Sequence, residues 1–320
     1  MKAVNIDQWL NSIRKIGATK KYKAMYSTLW DGIVTDPAMM LIPIDDHMVH
    51  RGDGVFEALR FNTKKIYLLE PHLDRLFLSS DRIGLKINIA KNKVAELCES
   101  VRQASGLEEG ILRVFVGRGG GDFSPNPYTT TGTEVHIVAT DFLKIPDDKY
   151  KNGVSLMFSK IPVKQSPYPQ IKSLNYLPNV LMKKESVDHG VDFSIGLTPE
   201  GYIAEGPTEN ILILKENGEL TMPNLDYILK GTTLMRLLDL VKVELKINSI
   251  LQAAIKSIKM AHIHKDEIFK AQDVMMIGTT IGVLPVSKVE NKIVGSYRSP
   301  KSDENLLSVL SDLLQTDLIS

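Results

Sequence analysis

Cysteine is almost missing from this chain: Cys98 is the only one in 320 residues. One thiol closes no intrachain disulfide and builds no cysteine-rich metal site, so a disulfide scaffold and a zinc-finger module are both excluded. A net charge is missing too. Lys and Arg total 39 against 38 Asp and Glu, a formal balance of +1. That excludes the broad basic surface of a general nucleic-acid or anionic-membrane binder, though not a local cluster of cations. No apolar run approaches the ~18–20 residues that cross a bilayer. The first 23 residues also lack the apolar centre of a secretory signal. They are basic, with Trp9, Ile13 and Ile16 spaced for one face of a short helix, while Asp7 and the shortage of Ser and Arg count against an organellar transit peptide. The expectation is a cytoplasmic protein of about two domains, at ~150 residues each, with neither nucleic acid nor membrane as partner.

What is present is an alternation of strand and helix signals on either side of a polar, Pro-containing stretch at 142–151. The expected organisation is an N-terminal extension over 1–24, a small α/β domain over 25–141, a linker over 142–151 and a larger domain over 152–320. In the first half, Asp31-Gly32 between short apolar runs predicts a hairpin, and Asn62-Thr63 predicts a second one joining 56–61 to 64–68. Apolar residues three and four apart predict helices over 72–83 and 91–104. Cys98 lies on the apolar face of the latter with Val94 and Val101, the setting of a buried, inert thiol. Strands are expected at 111–116 and 134–139. The second half predicts strands at 154–158, 194–197, 202–204, 211–214, 260–263 and 274–277. It predicts helices at 177–189 and 232–243, a short one near 266–271, and an amphipathic one from about Asp303.

Several motifs are set aside. Gly117-Arg118-Gly119-Gly120-Gly121 has neither the phosphate-loop nor the dinucleotide spacing, and a Pro-rich loop follows it instead of a helix. His47/His50 and His262/His264 have ligand-like spacing, but each pair reads more simply as ordinary half-buried histidines, so no metal is expected. No Gly-x-Ser-x-Gly elbow is present.

The words that remain are distributed. They are His50-Arg51-Gly52-Asp53-Gly54-Val55-Phe56-Glu57 with His72-Leu73-Asp74-Arg75-Leu76, then Ile171 to Asn179, Ile203 to Asn210, Ile228 to Thr233, and Gly278-Thr279-Thr280 with Leu284-Pro285-Val286. Any one block is weak. Five in the same order, over about Tyr26 to Val286, resemble the fold-type IV enzymes dependent on pyridoxal 5'-phosphate (PLP). That family includes branched-chain aminotransferases, D-amino acid aminotransferases and aminodeoxychorismate lyases. The wording around His47–Gly52 and Lys172–Leu181 resembles the plant-type D-amino acid transaminase branch, which borders on the lyases.

The resemblance implies an α/β (α+β) fold with a smaller N-terminal and a larger C-terminal domain and the cofactor in the cleft, and a homodimer. It implies ping-pong transfer of an amino group between an amino acid, of D type in the first instance, and a 2-oxo acid. The alternatives are an aminodeoxychorismate lyase releasing pyruvate, a branched-chain aminotransferase, and a non-catalytic PLP-binding protein. Residue by residue, Lys172 is implied as the amine that holds the cofactor's aldehyde and moves protons. Glu205 would be the carboxylate beside the pyridine nitrogen, with Glu209 as its rival, in the role of a loop or surface acid. Tyr176 would bond the cofactor's phenolic oxygen. Arg75, Thr232, Thr233 and Thr279 would hold the phosphate. Phe56 and Thr280 would face the substrate. The carboxylate ligand departs from the family: the Arg-x-His pair of bacterial D-amino acid enzymes is absent from 122–127, and the branched-chain tyrosines are replaced by Arg51 and Ile111. Arg51 and Arg118 are the candidates, because guanidinium forks grip carboxylates in bidentate fashion. The competing role for each is a structural ion pair, with Asp53 or Asp122.

Overall fold

A computed structural model describes residues 3–298 and 305–320. Two units emerge, 1–143 with 172–175, and 144–171 with 176–320. Lys172–Asn175 belongs with the first unit and not with the segments that flank it in sequence.

The first unit runs α1 (Ile6–Gly17), β1 (Tyr22–Ser27), β2 (Gly32–Val34), α2 (His47–His50), β3 (Gly54–Phe61), α3 (Leu69–Arg82), α4 (Lys91–Ala104), β4 (Gly110–Gly117) and β5 (Glu134–Asp141). Its strands form one antiparallel sheet in the order β2-β1-β5-β4-β3. The Asp31-Gly32 turn closes the first hairpin with Asp31 at φ 45°, an αL conformation that Asp tolerates better than most residues. Helices α3 and α4 lay Leu73, Leu76, Val94, Cys98 and Val101 into a core shared with Leu59, Leu112, Val114, Ile137 and Ala139 of the sheet. Burial, with a smaller push from Glu99, raises the Cys98 thiol to about 12, so the thiolate is withheld and the residue is a packing element.

One expectation fails here. Residues 64–68 are no strand: only an isolated Phe61–Ile66 bridge forms, because the chain turns through Leu68 at φ 52° directly into α3. The residues read as an N-terminal extension contain a helix. Helix α1 is part of the first unit, and its Gly17 approaches Ala38 so closely that a Cβ would come within 2.7 Å of the Ala38 nitrogen.

The second unit runs α5 (Asp147–Asn152), β6 (Val154–Phe158), α6 (Leu177–Asp188), β7 (Phe193–Ile195), β8 (Asn210–Leu214), β9 (Glu219–Pro223), α7 (Thr232–Glu244), α8 (Ser249–Ala254), β10 (Ser257–Ala261), β11 (Asp273–Gly278), β12 (Gly282–Val289), β13 (Lys292–Ile293) and α9 (Leu306–Ile319). The sheet order is β10-β9-β8-β11-β12-β6-β7, with β13 on β12. Pairing is mixed: β9–β10, β6–β12 and β6–β7 are parallel and the others antiparallel. Its core joins Val154, Leu156, Ile195, Ile211, Ile213, Val274, Met276, Leu284 and Val286.

The supposed linker therefore contains a helix, α5. Tyr202–Ala204 makes only isolated bridges, Leu197–Ile203 and Tyr202–His264. Strand β12 was hidden because Pro285, which donates nothing to a ladder, argues against a central strand. Yet it pairs there with Met275. The expected helix start at Asp303 lies outside the described residues. Among the described residues, no helix is long and apolar enough to cross a membrane.

Candidate functional site

In the first unit, Lys172 lies on a short extended segment that pairs with β3. The Phe56 N–H donates to the Lys172 carbonyl at 2.9 Å, and the Leu174 N–H to the Gly54 carbonyl at 2.9 Å. An antiparallel bridge joins Val55 to Ser173. The Lys172 N–H donates to Ser79 Oγ of α3 at 3.3 Å. Gly52 permits this approach: its φ is +64°, and a Cβ there would come within 3.3 Å of the Leu174 and Asn175 main chain. The half-buried Lys172 directs Nζ over the Phe56 ring, 4.5 Å from its centroid. Phe56 in turn stacks on Phe115 at 6.2 Å with planes inclined by 22°. An amine held against an aromatic face, with its main chain pinned at three points, has a fixed reach.

Beside it is a cluster whose partnership the sequence did not disclose. Glu57, on β3, is fully buried and receives three charge-assisted hydrogen bonds. They come from Arg75 Nε (2.7 Å), Arg75 Nη2 (2.7 Å) and His72 Nδ1 (2.6 Å). Burial by itself would raise the Glu57 carboxyl, but Arg75 and then His72 outweigh it, and the group falls from 4.5 to about 2. Burial, only partly offset by Glu57, lowers His72. The bidentate grip fixes the plane of the Arg75 guanidinium, so Glu57 orients the residue expected to meet the phosphate. The hint in sequence was a Glu on a buried strand, 15 and 18 residues before a His and an Arg one helical turn apart.

Because Glu57 has a depressed pKa, its contribution to stability is full above pH ~4.5 and disappears as pH falls towards 2. Glu57→Gln is expected to cost about 3 kcal/mol at pH 7, since it strands a buried cation. It should also flatten the acid limb of stability against pH. Urea midpoints measured from pH 7 to pH 3 check this, and equal slopes for variant and wild type would refute it.

The two arginines proposed for the substrate carboxylate differ sharply. Arg118 forms a bidentate pair with Asp53 (Nε–Oδ2 2.7 Å, Nη2–Oδ1 3.0 Å) and also donates to the Gly84 and Ile83 carbonyls. All three of its nitrogens are engaged, and the pair with Asp53 is the structural ion pair that competes with a ligand role. Arg51 is exposed and donates only to main-chain carbonyls, those of His50 at 2.9 Å and of Phe123.

In the second unit, Glu205 Oε2 accepts the Leu229 N–H at 2.8 Å, and Asn210 Nδ2 lies 3.4 Å away. Asn210 also donates to the Leu229 carbonyl at 2.9 Å, tying the Glu205 turn to the chain entering α7. Lys164 faces the same region. Burial lowers it and Glu205 pulls the other way, while its Nζ lies 5.6 Å from the Tyr176 ring. No motif singled out Lys164. Glu209 lies in the loop before β8 and is buried there, not at the surface, and its carboxylate accepts from the Thr208 N–H at 3.0 Å and from the Thr208 hydroxyl. Tyr176 donates to the Pro207 carbonyl at 3.1 Å, where Asn179 Nδ2 also donates at 2.6 Å.

Thr232 and Thr233 open α7 and are buried. Thr233 Oγ1 is 3.3 Å from Thr279 Oγ1, which lies in the β11–β12 turn with Thr280. The first turn of α7 carries no acidic residue and no side-chain cap. Gly231 precedes it, and a Cβ there would come within 1.9 Å of Asn210 Oδ1. Two hydroxyls at the positive end of a thirteen-residue helix make a cup suited to an oxyanion.

A family model described as amino-transferase class IV matches residues 54–289. The chain is 33% identical over 304 residues to the D-amino-acid transaminase, chloroplastic, of Arabidopsis thaliana, covering 94% of this chain and 78% of that protein. In fold, it is similar to a branched-chain amino acid aminotransferase of T.th. complexed with N-(5'-phosphopyridoxyl)-L-glutamate, with a TM-score of 0.80, 22% identity, and 93% and 95% of the two chains covered. It is also similar to the 4-amino-4-deoxychorismate lyase from Pseudomonas aeruginosa, with a TM-score of 0.73, 22% identity, and 87% and 96% covered.

Proposed function

The chain belongs to the class IV aminotransferases, and from that premise we propose that it moves an amino group between a D-amino acid and a 2-oxo acid. The cofactor is PLP. The donor set fits it: an amine against an aromatic face, an oriented guanidinium, a carboxylate, and a hydroxyl cup at a helix N-terminus are what its aldehyde, phosphate and pyridine nitrogen require. Bound PLP supplies an electrophilic carbon and a sink for the electrons left on the substrate carbon.

The protein's part is binding, orientation and proton movement. Lys172 would hold the cofactor through Nζ and, once free, would carry the proton at the substrate carbon. Glu205 keeps a proton on the pyridine nitrogen through opposite charge and a charge-assisted hydrogen bond. The Leu229 N–H, donating to its Oε2 at 2.8 Å, fixes the orientation of the carboxylate. Arg75, set by Glu57, binds the phosphate with Thr232, Thr233, Thr279 and the first amides of α7. In this reading Tyr176 bonds the cofactor's phenolic oxygen, and Phe56 and Thr280 face the substrate. Arg51 takes the substrate carboxylate in this reading, because a carboxylate displaces the neutral carbonyls it now holds. The D-amino acid assignment is carried by the 33% identity to the Arabidopsis enzyme over nearly the whole chain. By resemblance we also propose a homodimer, and a cytoplasmic location despite the chloroplastic name of that relative.

The test mixes holoenzyme with D-alanine, L-leucine or L-glutamate, each with a 2-oxo acid, and separately with aminodeoxychorismate, while the cofactor spectrum is followed. D-alanine is expected to convert the cofactor to its aminated form. Conversion by L-leucine instead makes the protein a branched-chain enzyme, and pyruvate released from aminodeoxychorismate makes it a lyase. Silence with every substrate supports the non-catalytic reading.

A further inference from the structure

We propose that the first unit carries a divalent-cation site formed by Asp46, Glu134 and His136, a site independent of the PLP chemistry. Glu134 and His136 are two residues apart on β5 and so share one face of the sheet. Asp46 immediately precedes α2. One ligand atom from each of the three lies within 4.8 Å of the others. Glu134 Oε2 and His136 Nε2 are 3.5 Å apart, close to the ~3.3 Å edge of a tetrahedron with metal–ligand bonds of about 2.0–2.1 Å.

The polar atoms themselves point to a ligand. Asp46 and His136 are fully buried, and Asp46 Oδ2, Glu134 Oε2 and both ring nitrogens of His136 have no hydrogen-bond partner. The other Asp46 oxygen is already used, accepting the Met48 N–H at 2.7 Å. The charges acting on Glu134 are those of Asp46 and Asp45, both negative. Those acting on Asp46 come from Asp45 and two histidines. Neither carboxylate has a lysine or arginine among these partners, and buried carboxylates without a counter-charge are normally neutralised by one or bound to a metal.

One imidazole nitrogen and two carboxylate oxygens suit Zn²⁺ or Mn²⁺ ahead of Mg²⁺ and Ca²⁺, which prefer oxygen alone. The histidine pairs set aside from sequence supply none of these three ligands, which come from two segments about 90 residues apart; Asp46 bridges to Gly120 beyond the end of β4. An ion here would tie β5 to the turn that leads through α2 and Gly52 into β3, the strand that fixes Lys172. The site is therefore a structural one.

Tag-free holoenzyme, stripped with a chelator and dialysed, is titrated with Zn²⁺, Mn²⁺ and Mg²⁺ by calorimetry, and bound metal is measured directly. The expected result is one saturable Zn²⁺ per chain, with Mg²⁺ at least about 100-fold weaker. Glu134→Gln and His136→Gln should each weaken Zn²⁺ by about 100-fold or more, since even the loss of a group that only orients a ligand costs 10–100-fold, while the PLP spectrum is kept. No saturable Zn²⁺ in the wild type, or binding unchanged in both variants, overturns the proposal. If both variants fail to fold, the wild type still decides. Co²⁺ added to the stripped holoenzyme should give visible bands that one equivalent of Zn²⁺ erases, and their absence overturns the site.

Discussion

Lys172→Ala is expected to lower turnover by about 10⁴-fold or more and to remove the visible absorption of the lysine-bound cofactor, because in the proposed function one amine serves as both nucleophile and proton carrier. Acid–base catalysis alone is worth about 10²–10⁴-fold, and loss of the covalent attachment adds to that. The main chain at 172 is held by the Phe56 and Ser79 contacts, neither of which needs the lysine side chain. The variant should therefore keep wild-type far-UV circular dichroism and still bind PLP noncovalently through Arg75 and the α7 cup. A full-strength visible band in Lys172→Ala would end the assignment of this residue. A variant that neither folds nor binds PLP would instead show Lys172 to be structural.

Glu205→Gln separates the electronic role of the acid from its shape. Glutamine fills the same space and still accepts the Leu229 N–H through its carbonyl oxygen, so folding and PLP content should hold. What goes is the negative charge. An opposite charge within hydrogen-bonding range shifts a partner's pKa by about 1–3 units, and each unit is tenfold in the population of the protonated partner. Turnover should fall by about 10–10³-fold, with little change in KM for the amino acid and a cofactor spectrum that titrates at lower pH than wild type. An unaltered pH dependence of the spectrum would reassign the role to the buried Glu209. Glu209→Gln is the matched control: its carboxylate closes on Thr208, so this change should act on stability before it acts on turnover.

The periodic features were legible from the chain because they depend on near neighbours. Helix α4 occupies 91–104, as the spacing of Val94, Cys98 and Val101 requires, and the Asp31-Gly32 turn lies between β1 and β2. Strand β12 and the absence of a strand at 64–68 were not legible. In the first, packing overrode the bias of Pro285. In the second, the entry to α3 took up the residues.

By itself, the sequence determined the family, through ordered blocks that place a lysine, a glutamate, an arginine and threonines at particular turns. It also determined the inertness of Cys98, which follows from its place on an apolar helix face. Only the tertiary structure decided what those side chains touch. It committed Arg118 to Asp53 across 65 residues, gave Arg75 its orienting Glu57, brought Lys172–Asn175 onto β3 in the first unit, and gathered Asp46, Glu134 and His136. Spacing along the chain encodes which residues share a face of one element, with periods of 2 and 3.6. The register between elements, as in β3 against β4 from Gly54–Gly117 to Phe61–Gly110, settles which charges meet, and register is a property of the folded sheet.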